Sequence, residues 1–291
     1  MKLNISFKGH FSYLGLKDNI EMLKELLLDC SYNVEVSNNF KENSVNLIYE
    51  GHHPNNYNEV LSELKKLDKE FILLTNAPRP NKNVEEFLLK IGLDKIFTSK
   101  VYTSGEAALN YLISNYKYKY FYHIGPPRDF SIFKDFERQK IKNIKKADYL
   151  LCTGLFDEYN KDLNYYKNIL KDEIDKIMIC TNPDLIVDRG QTREFCAGSV
   201  AKVFGEVGGN VEYFGKPYPK VYNLATKIEN RRVLCVGDNL NTDIKGANLQ
   251  KFSSLLISNG IHRNEIKKDN LKDLFKKYNV KVDFIQKNFK W

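Results

Sequence analysis

Apolar and polar positions along this chain switch between two periods, and the switches mark its elements. Residues 3–7 and 32–36 alternate with period two. Between them Ile20, Leu23, Leu27 and Cys30 recur at helical spacing behind Asp18, a capping residue. Residues 1–44 therefore read as strand, helix, strand. From residue 45 onward, short apolar runs predict strands at 45–50, 71–74, 100–102, 118–125, 149–152, 176–180, 233–236, 254–257 and 282–285. Helical spacing lies between them. Val60, Leu61, Leu64 and Leu67 share one face, as do Val84, Phe87, Leu88 and Ile91, with Gly92 placed to end the second helix. Thr103 and Glu106 have capping-box spacing ahead of a helix over 107–112. Strands that alternate with helices imply parallel crossovers and a doubly wound α/β sheet. Ligands of such sheets sit at the carboxyl ends of the strands.

Composition narrows the picture. A chain of 291 residues, 42% hydrophobic and 13% aromatic, is long enough for a sizeable core and an inserted second unit. No apolar run reaches the roughly 18 residues of a membrane span, and Lys8 and Gly9 interrupt the first run too early for a signal peptide. A cytoplasmic location is the expectation. The cysteines (Cys30, Cys152, Cys180, Cys196 and Cys235) are dispersed and lack Cys-x-x-Cys spacing, which argues against zinc and a disulfide framework. Cys152, Cys180 and Cys235 sit in apolar runs and read as small buried hydrophobes. The net charge of +8 favours anionic partners. The lysines are scattered, however, with no Arg-rich cluster interleaved with aromatics, so nucleic acid is not the expected partner.

Candidate chemistry concentrates in the second half. Lys216 stands between Gly215 and Pro217, and about twenty residues later Asp238 and Asp243 follow an apolar run. A lysine serves as a compact point charge toward phosphate, and magnesium takes one or two carboxylates together with waters and phosphate oxygens. Earlier, Thr75 closes an apolar strand and is followed by Asn76, Ala77, Pro78, Arg79 and Pro80. Thr75 offers a hydroxyl and Asn76 a backbone amide to a phosphate oxygen; the plainer reading is a strand-ending turn. Arg79 reads equally as a bidentate phosphate contact or as a cap on the next turn. Arg128 and Asp129 read as a candidate structural ion pair.

Lys216, the Gly237-Asp238 and Thr242-Asp243 pairs, and Thr75 at a strand end resemble the third, fourth and second motifs of the haloacid dehalogenase superfamily of phosphohydrolases. The segments 75–80, 103–106, 180–184 and 196–199 resemble its branch with a large cap, the NagD-type and nitrophenylphosphatase-type enzymes. The likeness spans roughly residues 51–291. It implies a Rossmann-like core at 45–116 and 209–291, an α/β cap at 117–208, and an N-terminal segment at 1–44 of other origin, docked on the core sheet or fused. It further implies a Mg2+-dependent phosphatase of small phosphorylated metabolites, with Lys216 and Thr75 catalytic and Asp238 and Asp243 at the metal. Asp184, Arg189 and Gly198 would lie in substrate-facing loops of the cap, and a homodimer would form through the cap.

The family's first motif departs from the pattern. Its nucleophile is an aspartate at the end of the first core strand, with a general-acid aspartate two residues on. Here no aspartate lies between Asp29 and Asp68, and the strand at 45–50 ends in Glu50, followed by His52 and His53. Glutamate as substitute nucleophile is disfavoured, since a misplacement near 1 Å costs on the order of 100-fold in rate; a residual metal contact suits it better. A histidine pair in a polar loop is most simply solvated. Two functions follow: an impaired member of the phosphatase family, or a pseudoenzyme that binds a phosphorylated metabolite or a protein partner without turnover.

Overall fold

The structure is a computed structural model describing the backbone of residues 2–7, 33–37, 45–49, 54–189, 192–225, 232–268 and 270–289, with side chains from residue 57 onward except 188, 189 and 192. The helix expected behind Asp18, together with Glu50, His52 and His53, lies outside the described residues, as does the side chain of Arg189.

Strands β1 (Lys2–Phe7), β2 (Asn33–Ser37) and β3 (Val45–Tyr49) form a parallel sheet in the order β2-β1-β3. The strand at 45–49, assigned to the core by a boundary after residue 44, thus pairs with a strand of the N-terminal segment. Helix α1 (Pro54–Lys66) follows and buries Val60 and Leu61. Leu67 lies beyond its end and is exposed.

Strand β4 (Leu73–Thr75) and, after helix α2 (Asn81–Lys90), strand β5 (Val101–Thr103) pair in parallel. Helix α2 stops because Gly92 adopts a left-handed φ of 95°, which lets its N–H reach the Leu89 carbonyl while Leu93 N–H reaches that of Leu88. Helix α3 (Ser104–Asn115) is capped as its sequence predicts: the Thr103 hydroxyl accepts from Glu106 N–H at 2.8 Å. The Glu106 carboxylate does not close the box. It accepts instead from Asn81 N–H at 3.0 Å, at the start of α2.

Strands β6 (Phe121–Ile124), β7 (Tyr149–Cys152) and β8 (Ile177–Cys180) build a second parallel sheet. Helix α4 (Leu163–Leu170) lies between β7 and β8. After β8 come an antiparallel hairpin of β9 (Ile186–Arg189) and β10 (Thr192–Phe195), helix α5 (Ala197–Glu206) and strand β11 (Asn210–Tyr213). Strand β11 completes the sheet in the order β11-β8-β7-β6. Residues 210–213, placed with the C-terminal core by a boundary after 208, therefore belong to the sheet begun by β6. Strand β7 explains why this unit reads as unbroken apolar runs. All four of its residues are buried, Tyr149 and Leu151 against α3 and helix α6 (Pro219–Ala225), Leu150 and Cys152 against α4 and α5.

Strands β12 (Leu234–Gly237), β13 (Ser253–Ile257) and β14 (Phe284–Gln286) make a third parallel group. Between β12 and β14 run helices α7 (Lys245–Leu249), α8 (Arg263–Lys268) and α9 (Leu271–Tyr278). Leu74 of β4, Tyr102 of β5 and Cys235 of β12 all pack against the cluster that contains α3 and α6. The whole is an α/β fold of parallel sheets with a Rossmann-like core. Burial pushes the Cys180 thiol up to about 12, Cys235 to about 11, and Cys152 well above its usual range, as suits small core residues rather than reactive ones. Among the described residues no helix is long and apolar enough to cross a membrane.

Candidate functional site

Residues just past the carboxyl ends of strands from three sheets meet in one place. Asn76 follows β4, Asp184 lies four residues past β8, Lys216 three past β11, and Asp238 directly follows β12. The Asn76 side chain donates to Asp184 Oδ1 at 3.1 Å and to the Lys216 carbonyl at 2.9 Å. Its own Oδ1 accepts from Lys216 N–H at 2.7 Å. Lys216 Nζ in turn donates to Asp243 Oδ1 at 2.6 Å, with the two side chains 18% and 10% exposed. An ion pair this enclosed is weakly screened, so its geometry is held firmly.

Two glycines make the acidic side possible. A Cβ on Gly237 would lie 2.2 Å from the Asp243 carboxyl carbon, and one on Gly260 would lie 2.2 Å from Asp238 Cβ. Asp243 sits in a turn of π-helix over Leu240–Ile244, a geometry often found at functional sites. Its Oδ2 accepts from Asn239 N–H at 3.1 Å. Asp238 Oδ2 accepts from Ile261 N–H at 2.9 Å.

One ammonium thus faces three carboxylates. Burial works against the charge of Lys216, but the Asp243, Asp184 and Asp238 carboxylates outweigh it and raise its pKa. Asp184 is also raised, first by burial and then by Asp243 and Asp238, against the lowering effects of the Asn76 hydrogen bond and Lys216. Among the described residues, no three of His, Cys, Asp and Glu converge as a ready-made metal cage. Two carboxylates left to be completed by water and phosphate oxygens match magnesium's usual protein ligation.

The remaining sequence-derived residues divide. Thr75 closes β4, and its Oγ1 accepts from Ala77 N–H at 3.3 Å, which leaves the hydroxyl hydrogen free to donate. Arg79 points toward the second sheet, with Nε 3.8 Å from Asp129 Oδ1, while Arg128 pairs with Asp157 at 2.7 Å. Arg128 and Asp129 thus each have a charged partner outside the expected pair, Asp157 and Arg79. Gly198 lies beneath the 182–184 loop: a Cβ there would come within 2.3 Å of the Pro183 carbonyl oxygen. Ser199 Oγ adds a hydrogen bond of 2.6 Å to the Leu185 carbonyl. Sequence reasoning placed Asp184 on a substrate loop; its closeness to Lys216 comes from β8 and β11 being neighbours, which no local spacing reveals.

Two family models match the chain, one for haloacid dehalogenase-like hydrolases over residues 47–139 and one for HAD-hydrolase-like proteins over residues 213–286. The chain belongs to the haloacid dehalogenase-like hydrolases. Solved structures agree. A haloacid dehalogenase-like hydrolase from Brucella suis is 28% identical, with a TM-score of 0.62, over 71% of this chain and 80% of that one. The p-nitrophenyl phosphatase of Archaeoglobus fulgidus (19% identical, TM-score 0.60) is matched over 79% of this chain and 88% of its own. The 4-nitrophenylphosphatase of Thermotoga maritima (23%, TM-score 0.59) is matched over 79% and 86%. No curated protein sequence matches. Both the Lys216 loop and Asp238–Asp243 fall inside the second family match, and Thr75, Asn76 and Arg79 fall inside the first.

Proposed function

We propose that this haloacid dehalogenase-like chain binds a small phosphorylated metabolite together with magnesium, and that its phosphatase turnover is impaired. The observation that carries this reading is Lys216 bonded to Asp243, with Asp184 and Asp238 beside it, where the strand ends converge. Lys216 would neutralise phosphoryl oxygens, and the Thr75 hydroxyl and Asn76 backbone N–H would hydrogen-bond them. Arg79 would add a further anion contact by turning away from Asp129. Asp238 and Asp243 would hold the metal, whose chemistry is to offset charge on the phosphoryl group. Asp184 and Gly198 would shape the substrate side, with the sheet of β6, β7, β8 and β11 serving as the cap.

Impairment rests on the sequence. No aspartate lies between Asp29 and Asp68, so neither the nucleophile nor the general acid of the family's aspartyl-phosphate route is in place. A second reading, binding without any turnover, rests on the same absence. Buried thiols of raised pKa accord with a reducing, cytoplasmic setting, and a homodimer through the cap completes the proposal. Magnesium-dependent phosphate release across a panel of phosphorylated metabolites, with Asp238→Asn alongside, is the test. The expected result is no release above the variant, while magnesium with a bound phosphoester raises the melting temperature of the wild type only. Release that disappears in Asp238→Asn would show a working phosphatase and overturn the impairment.

A further inference from the structure

We infer that Asn76 is a positioning residue: its side chain sets Lys216 in place and fastens the sheet ending in β11 to strand β4. A carboxamide has two donor hydrogens and an oxygen with two lone pairs. Here both hydrogens have acceptors, the Asp184 carboxylate at 3.1 Å and the Lys216 carbonyl at 2.9 Å, and the oxygen takes the Lys216 N–H at 2.7 Å. The side chain grips both backbone polar groups of one residue, as a neighbouring strand would. It is 6% exposed, so these bonds are made out of water's reach, where leaving one unmade is costly.

The surroundings are shaped for this grip. Gly215 has φ of 126°, a conformation that disfavours any other residue, and a Cβ there would stand 2.7 Å from Asn76 Oδ1 and 2.5 Å from Pro183 Cδ. Pro183 and Asp184 are held from behind by the close approach of Gly198. Three segments, at 76, 183–184 and 215–216, are therefore packed around one carboxamide.

The mechanical consequence follows from chain order. The Lys216 backbone continues from β11, which is bonded to β8, whereas its ammonium partner Asp243 follows β12. A shift of the four-stranded sheet relative to β4 would carry Lys216 away from Asp243. Asn76 bridges this joint at the lysine itself, holding its backbone while the ammonium reaches across, beside the apolar contacts of Leu74 and Tyr102. Its three bonds leave the carboxamide no free donor, so a ligand would meet the Asn76 backbone N–H rather than the side chain. The role in ligand binding rests on the phosphate reading above; the strut itself does not.

Backbone amide exchange measured by NMR reads the strut directly, because Lys216 N–H is one of its bonds. In Asn76→Ala, Lys216 N–H exchange should accelerate at least about tenfold while core amides of β7 and β8 keep wild-type rates. Affinity for inorganic phosphate with magnesium should fall roughly tenfold. Asn76→Asp keeps the acceptor but sets a carboxylate oxygen against Asp184 Oδ1 and the Lys216 carbonyl, so Lys216 N–H exchange should accelerate there too. Should Asn76→Ala not fold, Asn76→Ser, too short to reach Lys216, carries the same expectation. Unchanged Lys216 exchange, or acceleration shared equally by the β7 and β8 amides, would overturn the strut. Selective acceleration in a protein whose wild type binds no phosphate would uphold the strut and count against the phosphate reading alone.

Discussion

Gly237 and His123 show how far single residues were legible. The Gly-Asp-x-x-x-Thr-Asp spacing marked Asp238 and Asp243 from sequence, but not why glycine stands at 237. The Asp243 carboxyl occupies the space a side chain would need, 2.2 Å from a Cβ at that position. Gly237→Ala should therefore displace Asp243 from Lys216 and destabilise the fold by about 1–3 kcal/mol, read as a lowered urea midpoint. A wild-type midpoint would show that the carboxyl moves aside freely. His123 carried no sequence signal at all. It is buried, 2.9 Å from Thr153 Oγ1, and burial, helped by Lys140, lowers its pKa to about 3. The unfolded chain takes up that proton near its ordinary value of 6.5, so between these values the unfolded state binds more protons. Stability should fall as pH drops through this window, by up to about 1.4 kcal/mol per pH unit. In His123→Gln, which stays neutral, the pH slope of the unfolding free energy should be shallower than in the wild type; equal slopes would mean the histidine is protonated in the fold.

At the scale of elements, local rules succeeded where the local chain decides. Gly92 ends its helix through a left-handed residue, and Thr103 caps α3 as its spacing with Glu106 predicts. The Thr103 hydroxyl also donates to the Arg79 carbonyl at 2.6 Å, joining the helix start to the loop that follows β4. Thr103→Ala should cost about 1–2 kcal/mol in chemical denaturation, with Thr103→Ser recovering most of it. A loss below a few tenths would show that water replaces the cap. Sequence periodicity missed the β9–β10 hairpin and β11. These strands are four residues each, and β11 (Asn210, Val211, Glu212, Tyr213) is half polar because it is the edge of its sheet. Strand β3 was found as a strand, but its pairing with β1 depends on residues more than forty positions away, beyond any local pattern.

For the whole molecule, the candidate site depends on the sheets bringing their strand ends together. Lys216 and Asp184 come from the sheet of β6, β7, β8 and β11, Asp238 and Asp243 from beyond β12, and Thr75 and Asn76 from β4. Motif order points to the members of this group but not to the closeness of Asp184, since convergence is a property of strand order. A ligand that draws on all three sources stabilises the folded assembly by mass action, and at 100 times its Kd that amounts to about 2.7 kcal/mol. Magnesium with inorganic phosphate should therefore raise the melting temperature of the wild type by several degrees. Magnesium alone should do less, because the carboxylates supply only part of its coordination. Asp238→Asn should abolish the gain without lowering the unliganded melting temperature much, since its Oδ2 bond to Ile261 N–H can still be made by an amide oxygen. An equal gain in wild type and variant would place the phosphate elsewhere on a surface of net charge +8, where scattered lysines attract anions without building a site.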